Sequence, residues 1–429
     1  MANINLPQSP FPRIVIVGCG FAGIALAKGL NNQSCQVVLF DKNNYHSFQP
    51  LLYQVATAGL EADSIAYPIR KIFKGQRNLH FRWGEVQQVD TERKLLMTSI
   101  GELTYDYLVL ATGTTTNFFG IEGLESLSMP MKTVVEALNL RSLILQNFEQ
   151  ALLTTDQQKR DALMNFVIVG GGPTGVELAG ALCELKRHVL PNDYPELDFR
   201  KMRVMLVESG SEILQSFSKE NQNKATRYLH ELGAEIWLQT RVTRYDGHFA
   251  ETASGKPFET ANLIWAAGVK GALPEGLTPN VVLPNMRLKT DEFNRVAGQE
   301  AIFAIGDISC VIQEDLPRGH PQVAQVAIQQ GTLLARNFIR LFNKQQLIPF
   351  QYKDKGSMAT VGRNRAVVES GKIHFAGFFG WVAWLFVHLM AIVGFRNRLV
   401  VFINWIWNYL SYDRNIRLII RPFYRKPVA

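Results

Sequence analysis

Six glycines and two acids stand in this chain in one repeated order. Gly18, Gly20 and Gly23 follow the apolar run Ile14 to Val17, and Asp41 ends the next apolar run, Val37-Val-Leu-Phe40. Gly170, Gly172 and Gly175 follow Phe166-Val-Ile-Val169, and Glu208 ends Val204-Met-Leu-Val207. At a strand-to-helix turn, the first glycine of such a triplet allows the sharp bend. The second lets the backbone approach a pyrophosphate, and the third lets helix and strand pack closely. The phosphates then meet the free N–H groups and the dipole of the helix N-terminus. An acid at the end of the following strand can accept a hydrogen bond from a ribose hydroxyl.

Other residues stand where a ligand would need them. The run Tyr107-Leu-Val-Leu110 ends in Ala111-Thr112-Gly113, and Leu263-Ile-Trp-Ala-Ala-Gly268 repeats that ending. Small residues there let backbone pass close to a ligand. Gly306-Asp307 closes a third such run. Its aspartate can accept from a sugar or ribityl hydroxyl, or simply cap a turn. Glu177 falls in the first turn of the second repeat's helix, where the dipole stabilises an acid. Gln325 and Gln329 lie four apart on a helix expected over 321–342, starting near Pro321. The stretch Asn44 to Ala56 is aromatic and apolar without a clean period, and suits a ring-binding cleft or core packing equally. None of the cysteines (19, 35, 183, 310) forms C-x-x-C, so the sequence offers no dithiol relay, zinc site or iron–sulfur cluster.

The elements that must position these residues are strand, turn and helix, twice over. The fold class expected is α/β, with two Rossmann-like dinucleotide-binding domains. A helix is expected over 131–163 from its 3.6-residue apolar spacing. With 429 residues, 47% apolar and 19% charged, the chain has size for two or three domains and a sizeable core. The N-terminal residues lack the charged and apolar regions of a signal peptide.

The tail differs from the rest. Residues 373–429 hold seven Lys/Arg against Asp413, which is six of the eight net positive charges, and four of seven tryptophans. Residues 373–395 carry no Asp, Glu, Lys or Arg, which raises the question of a membrane span. Three glycines and two histidines interrupt that run. In 397–412 the residues Asn397, Asn404, Asn408 and Ser411 form one narrow polar stripe. In 414–425 Arg414, Arg417, Arg421 and Arg425 would share a helix face, up to a break at Pro422. Helices lying in the interface of an anionic membrane are therefore expected, in preference to a spanning helix or to nucleic-acid binding. A dimerisation surface is the alternative use of the same apolar faces.

Taken together, these motifs resemble the type II NADH:quinone oxidoreductases of the two-dinucleotide flavoprotein superfamily. The resemblance rests on Gly18-Cys-Gly-Phe-Ala-Gly23, Ala111-Thr-Gly113, Gly170-Gly-Gly-Pro-Thr-Gly-Val-Glu-Leu-Ala179, Ala304-Ile-Gly-Asp307, Ala324-Gln-Val-Ala-Ile-Gln329 and the Trp384 to Leu399 region. It implies a FAD-binding domain over 1–125 and 285–345, an NADH-binding domain over 126–284, and a C-terminal membrane-anchoring domain over 346–429. It places Gly18, Gly20, Phe21, Ala22, Gly23, Asp41, Lys42, Val86, Ala111, Thr112, Gly113 and Asp307 along non-covalent FAD. Gly172, Pro173, Thr174, Gly175, Glu208 and Gly268 fall to NADH, with Glu208 disfavouring NADPH. Glu177, Gln325 and Gln329 are the implied catalytic residues, Glu177 in proton uptake and the glutamines on the quinone side. His46, Gln49 and Tyr53 border the flavin, and Lys372 is a candidate for the lysine that some relatives use. No metal is implied. The implied reaction carries two electrons from NADH through FAD to a membrane quinone, menaquinone or ubiquinone, without proton pumping, at the cytoplasmic face of an inner membrane. A soluble NADH:acceptor reductase, a sulfide:quinone oxidoreductase and a redox-sensing binding protein are the alternatives.

Overall fold

A computed structural model describes residues 3–312, 316, 318–412 and 416–425. In chain order, the elements used below begin with β1 (Arg13–Val17), α1 (Phe21–Gly29), β2 (Gln36–Asp41), α2 (Leu52–Ala56), β3 (Leu79–Trp83) and β4 (Tyr107–Leu110). Then come β5 (Met129–Pro130), α3 (Val134–Leu153), α4 (Gln157–Met164), β6 (Phe166–Val169), α5 (Pro173–His188), β7 (Val204–Val207), β8 (Glu235–Trp237) and β9 (Asn262–Trp265). The last are β10 (Ile302–Ala304), α6 (Ala324–Phe342), β11 (Ser357–Thr360), β12 (Ala366–Ser370), β13 (Ile373–Gly377), α7 (Phe378–Ala391) and α8 (Phe395–Ser411).

Two compact units divide the chain. The first holds residues 1–46, 67–115 and 269–354, and the second 47–66, 116–268 and 355–429. The first unit is built on a parallel sheet in the order β10-β4-β1-β2-β3. Its central strands are apolar on both faces, as a sheet covered on both sides requires. Helix α1 packs on α6 through small residues. A Cβ on Gly331 would stand 2.3 Å from the Ala22 carbonyl oxygen, and one on Gly29 would stand 2.5 Å from Ala335 Cβ.

The second unit repeats the plan with the parallel order β5-β9-β6-β7-β8. The C-terminal residues from 355 onward belong to this unit. The antiparallel sheet β11-β12-β13 supports α7 within it.

Several expected boundaries shift. The helix expected over 131–163 is two helices. Asp156 caps the second by accepting from the Gln158 and Lys159 N–H groups, while a Thr133/Glu136 capping box starts the first. The helix expected from Pro321 begins at Ala324. Residues 373–395 are a strand followed by a 14-residue helix. Among the described residues no helix is long and apolar enough to cross a membrane.

The expected helix over 414–425 does not form in the described part, 416–425. Gln146 bonds both backbone groups of Phe423, at 2.7 and 3.1 Å, and Arg425 donates to the Ala261 carbonyl at 2.6 Å. Arg417 pairs with Asp193. These contacts hold the segment in a non-helical path. Asp413, Arg414 and Lys426 lie outside the described residues.

Part of the polar stripe of α8 faces protein, while Ser411 at its end is exposed and bonds the Trp407 carbonyl of its own helix. Asn397 is buried and donates to the carbonyls of Asp63, Ser64 and Ala66, and Asn408 donates to that of Gly59. Trp384 packs inward from α7. Phe379, Phe386, Phe395, Ile403, Trp407 and Leu410 are exposed.

Candidate nucleotide cradles and a proton-bearing groove

In the first unit the chain turns sharply at Gly18 (φ +106°), whose amide bonds Phe40 O. A Cβ there would lie 2.3 Å from Ala111 O, and one on Gly23 would lie 1.9 Å from Gly18 O. At Gly20 a Cβ would meet nothing within 4 Å. The second unit repeats this. A Cβ on Gly170 (φ +116°) would lie 2.7 Å from Ala266 O, one on Gly175 would lie 1.9 Å from Gly170 O, and one on Gly172 would meet nothing within 4 Å. Two glycines of each triplet are therefore required by packing, and the middle one leaves a cradle at a helix N-terminus.

The two acids also match. Asp41 accepts from the Cys19 N–H at 2.6 Å and the Asn43 N–H at 2.7 Å, and burial raises its pKa against those two bonds. Glu208 accepts from the Gly171 N–H at 2.6 Å and the Gly210 N–H at 2.7 Å. In each unit the acid ties down the residue after the first glycine, a link that the spacing alone did not reveal.

The remaining first-unit candidates gather at the same strand ends. Thr112 Oγ1 is buried without a protein partner, an orphan that a ligand hydroxyl or phosphate would satisfy. Asp307 accepts from Thr114 Oγ1 at 3.3 Å, and Gly306 packs against Ala22. Phe21 meets His46 edge-on at 5.1 Å, and His46 Nδ1 lies 3.1 Å from the Cys19 carbonyl. That acceptor makes Nδ1 the donor, and burial lowers the imidazole pKa. Val86 is buried at the start of the strand Val86–Asp90, and the Lys42 carbonyl accepts from Trp83. These features fit a dinucleotide.

Of the two glutamines on α6, Gln329 is committed to Lys353, accepting from its N–H at 3.0 Å and donating to its carbonyl at 2.9 Å. Gln325 is half-buried. Gln330, which no motif singled out, is buried and accepts from the Gly306 N–H at 2.7 Å.

In the second unit Pro173, Thr174 and Gly175 open α5 beside Gly172. Gly268 (φ +110°) leaves room for the Phe119 ring. One turn into the helix, Glu177 is buried, and burial pushes its carboxyl up to about 8. It accepts from the Thr360 N–H at 3.4 Å. The indole N–H of Trp384 lies against it and lowers the pKa slightly, without a full hydrogen bond.

Glu177 lines a groove of about 110 Å³ together with Tyr53, Gln54, Trp384, Trp405 and Tyr409. The aromatic walls are fixed to one another. Trp405 donates to Gln54 at 2.8 Å, Gln54 donates to the Tyr53 hydroxyl at 2.9 Å, and Trp384 stacks on His388 at 4.0 Å. Of this wall the sequence singled out Tyr53, as a flavin neighbour. Trp384 and Trp405 were legible only as tail tryptophans, since their inward faces depend on contacts hundreds of residues away.

All four cysteines are buried and free, and the described residues hold no cluster able to bind a metal.

Comparison with known proteins adds two matches along the chain. Residues 12–331 match the family described as pyridine nucleotide-disulphide oxidoreductase, and residues 355–412 match the NDH2 C-terminal domain. A type II NADH:quinone oxidoreductase of Mycobacterium tuberculosis is 34% identical over 94% of this chain and 89% of its own. The fold resembles that of NDH2 from Plasmodium falciparum solved with NADH (TM-score 0.86, 21% identity, 96% of this chain and 100% of that one). It also resembles the sulfide:quinone oxidoreductase of Aquifex aeolicus (TM-score 0.70, 17% identity, 94% and 96%).

Proposed function

The chain belongs to the type II NADH:quinone oxidoreductases, within the pyridine nucleotide-disulphide oxidoreductase family, and from that premise we propose how its residues divide the work. It is an FAD- and NAD(H)-using NADH dehydrogenase that transfers electrons from NADH to quinone. The bound FAD supplies the two-electron relay between the two substrates.

Residues 1–125 and 285–345 hold FAD. Gly20 and Ala22 line its pyrophosphate cradle, Asp41 takes a ribose, and Asp307 takes the ribityl chain. Residues 126–284 hold NADH, with Gly172 to Gly175 on the pyrophosphate and Glu208 on the ribose. A carboxylate in that position repels a 2′-phosphate and selects NADH over NADPH.

Glu177 holds the proton that quinone reduction consumes. Its burial in an aromatic groove is the single observation that carries this role. A carboxyl with a pKa near 8 is mostly protonated at neutral pH, so it can donate without a second acid. Tyr53, Trp384 and Trp405 form the apolar wall that admits a quinone ring. Gln325 and Gln329 stand on the quinone side.

Residues 346–429 meet the membrane through the exposed apolar faces of α7 and α8, at the cytoplasmic surface of an inner membrane and without proton pumping. A second copy of the chain on those faces would make a homodimer. The test of the proton role is Glu177→Gln. The substitution is expected to cut quinone turnover by about tenfold or more and to remove the pH dependence near 8. Full turnover across that range would remove Glu177 from the mechanism. A sulfide:quinone activity is disfavoured by Cys183 and Cys310, which are buried on different elements with no second cysteine beside them.

A further inference from the structure

Helix α5 carries two further titratable side chains on the face of Glu177. Glu184 lies seven residues on and His188 four beyond that, which is two turns and then one turn of the helix. Both line the same groove as Glu177. Exposure rises along the row: Glu177 is buried, Glu184 half-buried and His188 exposed.

The overall reaction needs such a row. NADH and a proton convert quinone to quinol and leave NAD⁺. The hydride brings two electrons and one proton, so the second proton comes from water. Glu177 is buried, so it needs a route to bulk water. We infer that Glu184 and His188 form the entry through which that solvent proton reaches Glu177. This rests on the quinone reading given above.

The dimensions agree. Glu177 and Glu184 are about 10 Å apart along the helix axis, and Glu184 and His188 about 6 Å. A groove of about 110 Å³ has room for several waters, at about 10–15 Å³ of such space each. Hydrogen-bonded waters can therefore bridge the longer gap. At the mouth, His188 is exposed to bulk water.

The other titratable groups lining the groove are Tyr53 from α2, Arg363 from the loop after β11, and Tyr409 and Tyr412 from α8 and its end. Arg363 does not quench the row. Its guanidinium lies 3.6 Å over the Tyr412 ring and 4.8 Å from that of Tyr409, and donates to the Asn408 carbonyl. Its backbone N–H donates to Glu184 Oε1, fixing that carboxylate toward the groove. On α5 itself, Lys186 is bonded to the Met202 carbonyl and Arg187 to that of Glu231. Glu184 and His188 are thus positioning and relay groups, and Glu177 remains the donor.

The test uses full-length, FAD-loaded protein with NADH and two acceptors, a short-chain quinone and ferricyanide. Ferricyanide takes electrons without protons, so the ratio of quinone to ferricyanide turnover reads proton delivery. Glu184→Gln keeps the oxygen that accepts from Arg363 and loses the acid. The ratio is expected to fall by about tenfold or more, most strongly at alkaline pH, and to recover with a small weak acid such as formate. Glu184→Asp should keep most of the ratio. His188→Gln, which also removes the ring contact with Tyr412 at 4.5 Å, should lower it less than Glu184→Gln does. An unchanged ratio at every pH, or a fall that formate does not restore, overturns the inference. If the unaltered protein reduces ferricyanide but no quinone, the quinone reading fails first and this inference falls with it.

Discussion

At the residue scale, Glu177 shows how burial makes a reagent. On a solvated helix the same side chain would be an ordinary anion. Enclosed by the Thr360 backbone and the Trp384 ring, it keeps its proton up to about pH 8. The same shift is a stability statement. The folded chain binds a proton that an unfolded glutamate releases near its ordinary value of 4.5. The favourable state is fully present below that value and is lost as pH rises through about 8, at a cost of up to about 5 kcal/mol. Thermal melting should therefore decline with pH across this window in the unaltered protein and decline less in Glu177→Gln; equal slopes would contradict the assignment. At Gly20 a Cβ meets nothing within 4 Å, so Gly20→Ala should fold normally yet lose most of its FAD, read by absorbance after gel filtration. Retained flavin would show that the cradle is not where the pyrophosphate sits. Glu208→Gln should raise the NADPH:NADH rate ratio, because it removes the charge that repels a 2′-phosphate. The places of Asp41 and Glu208 at the strand ends were legible in the sequence because they follow from strand, glycines and order. The burial of Glu177 was not, because it depends on Thr360 and Trp384, about 180 and 200 residues away in the chain.

At the scale of elements, glycines set how closely helices approach. Gly331 lets α6 lie on α1 with its Cα against the Ala22 carbonyl. Gly331→Ala puts a Cβ 2.3 Å from that oxygen, so the helices must separate near the FAD cradle. Overpacking of this kind costs about 1–3 kcal/mol. A lowered melting temperature with weaker FAD retention is expected, and a melting temperature equal to the parent's would contradict the contact. The βαβ units were readable because strand, turn and helix are local patterns. The tail was readable in composition but not in its elements. The 373–395 run has the apolarity of one segment, yet Gly377 (φ +77°) divides it into the edge strand β13 and the helix α7. The arginine periodicity over 414–425 suggested a helix. Tertiary partners for Arg417, Phe423 and Arg425 outweighed that local preference.

For the molecule as a whole, α7 and α8 turn polar groups inward and leave aromatic and aliphatic side chains exposed. Exposed large apolar side chains concentrated on two helices mark an interaction face. Because Arg417 is paired and Arg425 is bonded internally, hydrophobic contact should dominate over charge in membrane binding. Vesicle sedimentation should therefore persist at high salt and fall sharply in Phe379→Asp/Phe386→Asp; the reverse pattern would assign binding to the arginines. The central claim is that this chain reduces a quinone with electrons from NADH. Anaerobic stopped-flow absorbance on the solubilised protein tests it most directly, with NADH mixed first and a short-chain quinone second. The account predicts fast bleaching of the flavin band and fast recovery with quinone. Bleaching that no quinone reverses would contradict it and leave an NADH-binding flavoprotein with another acceptor or a sensing role.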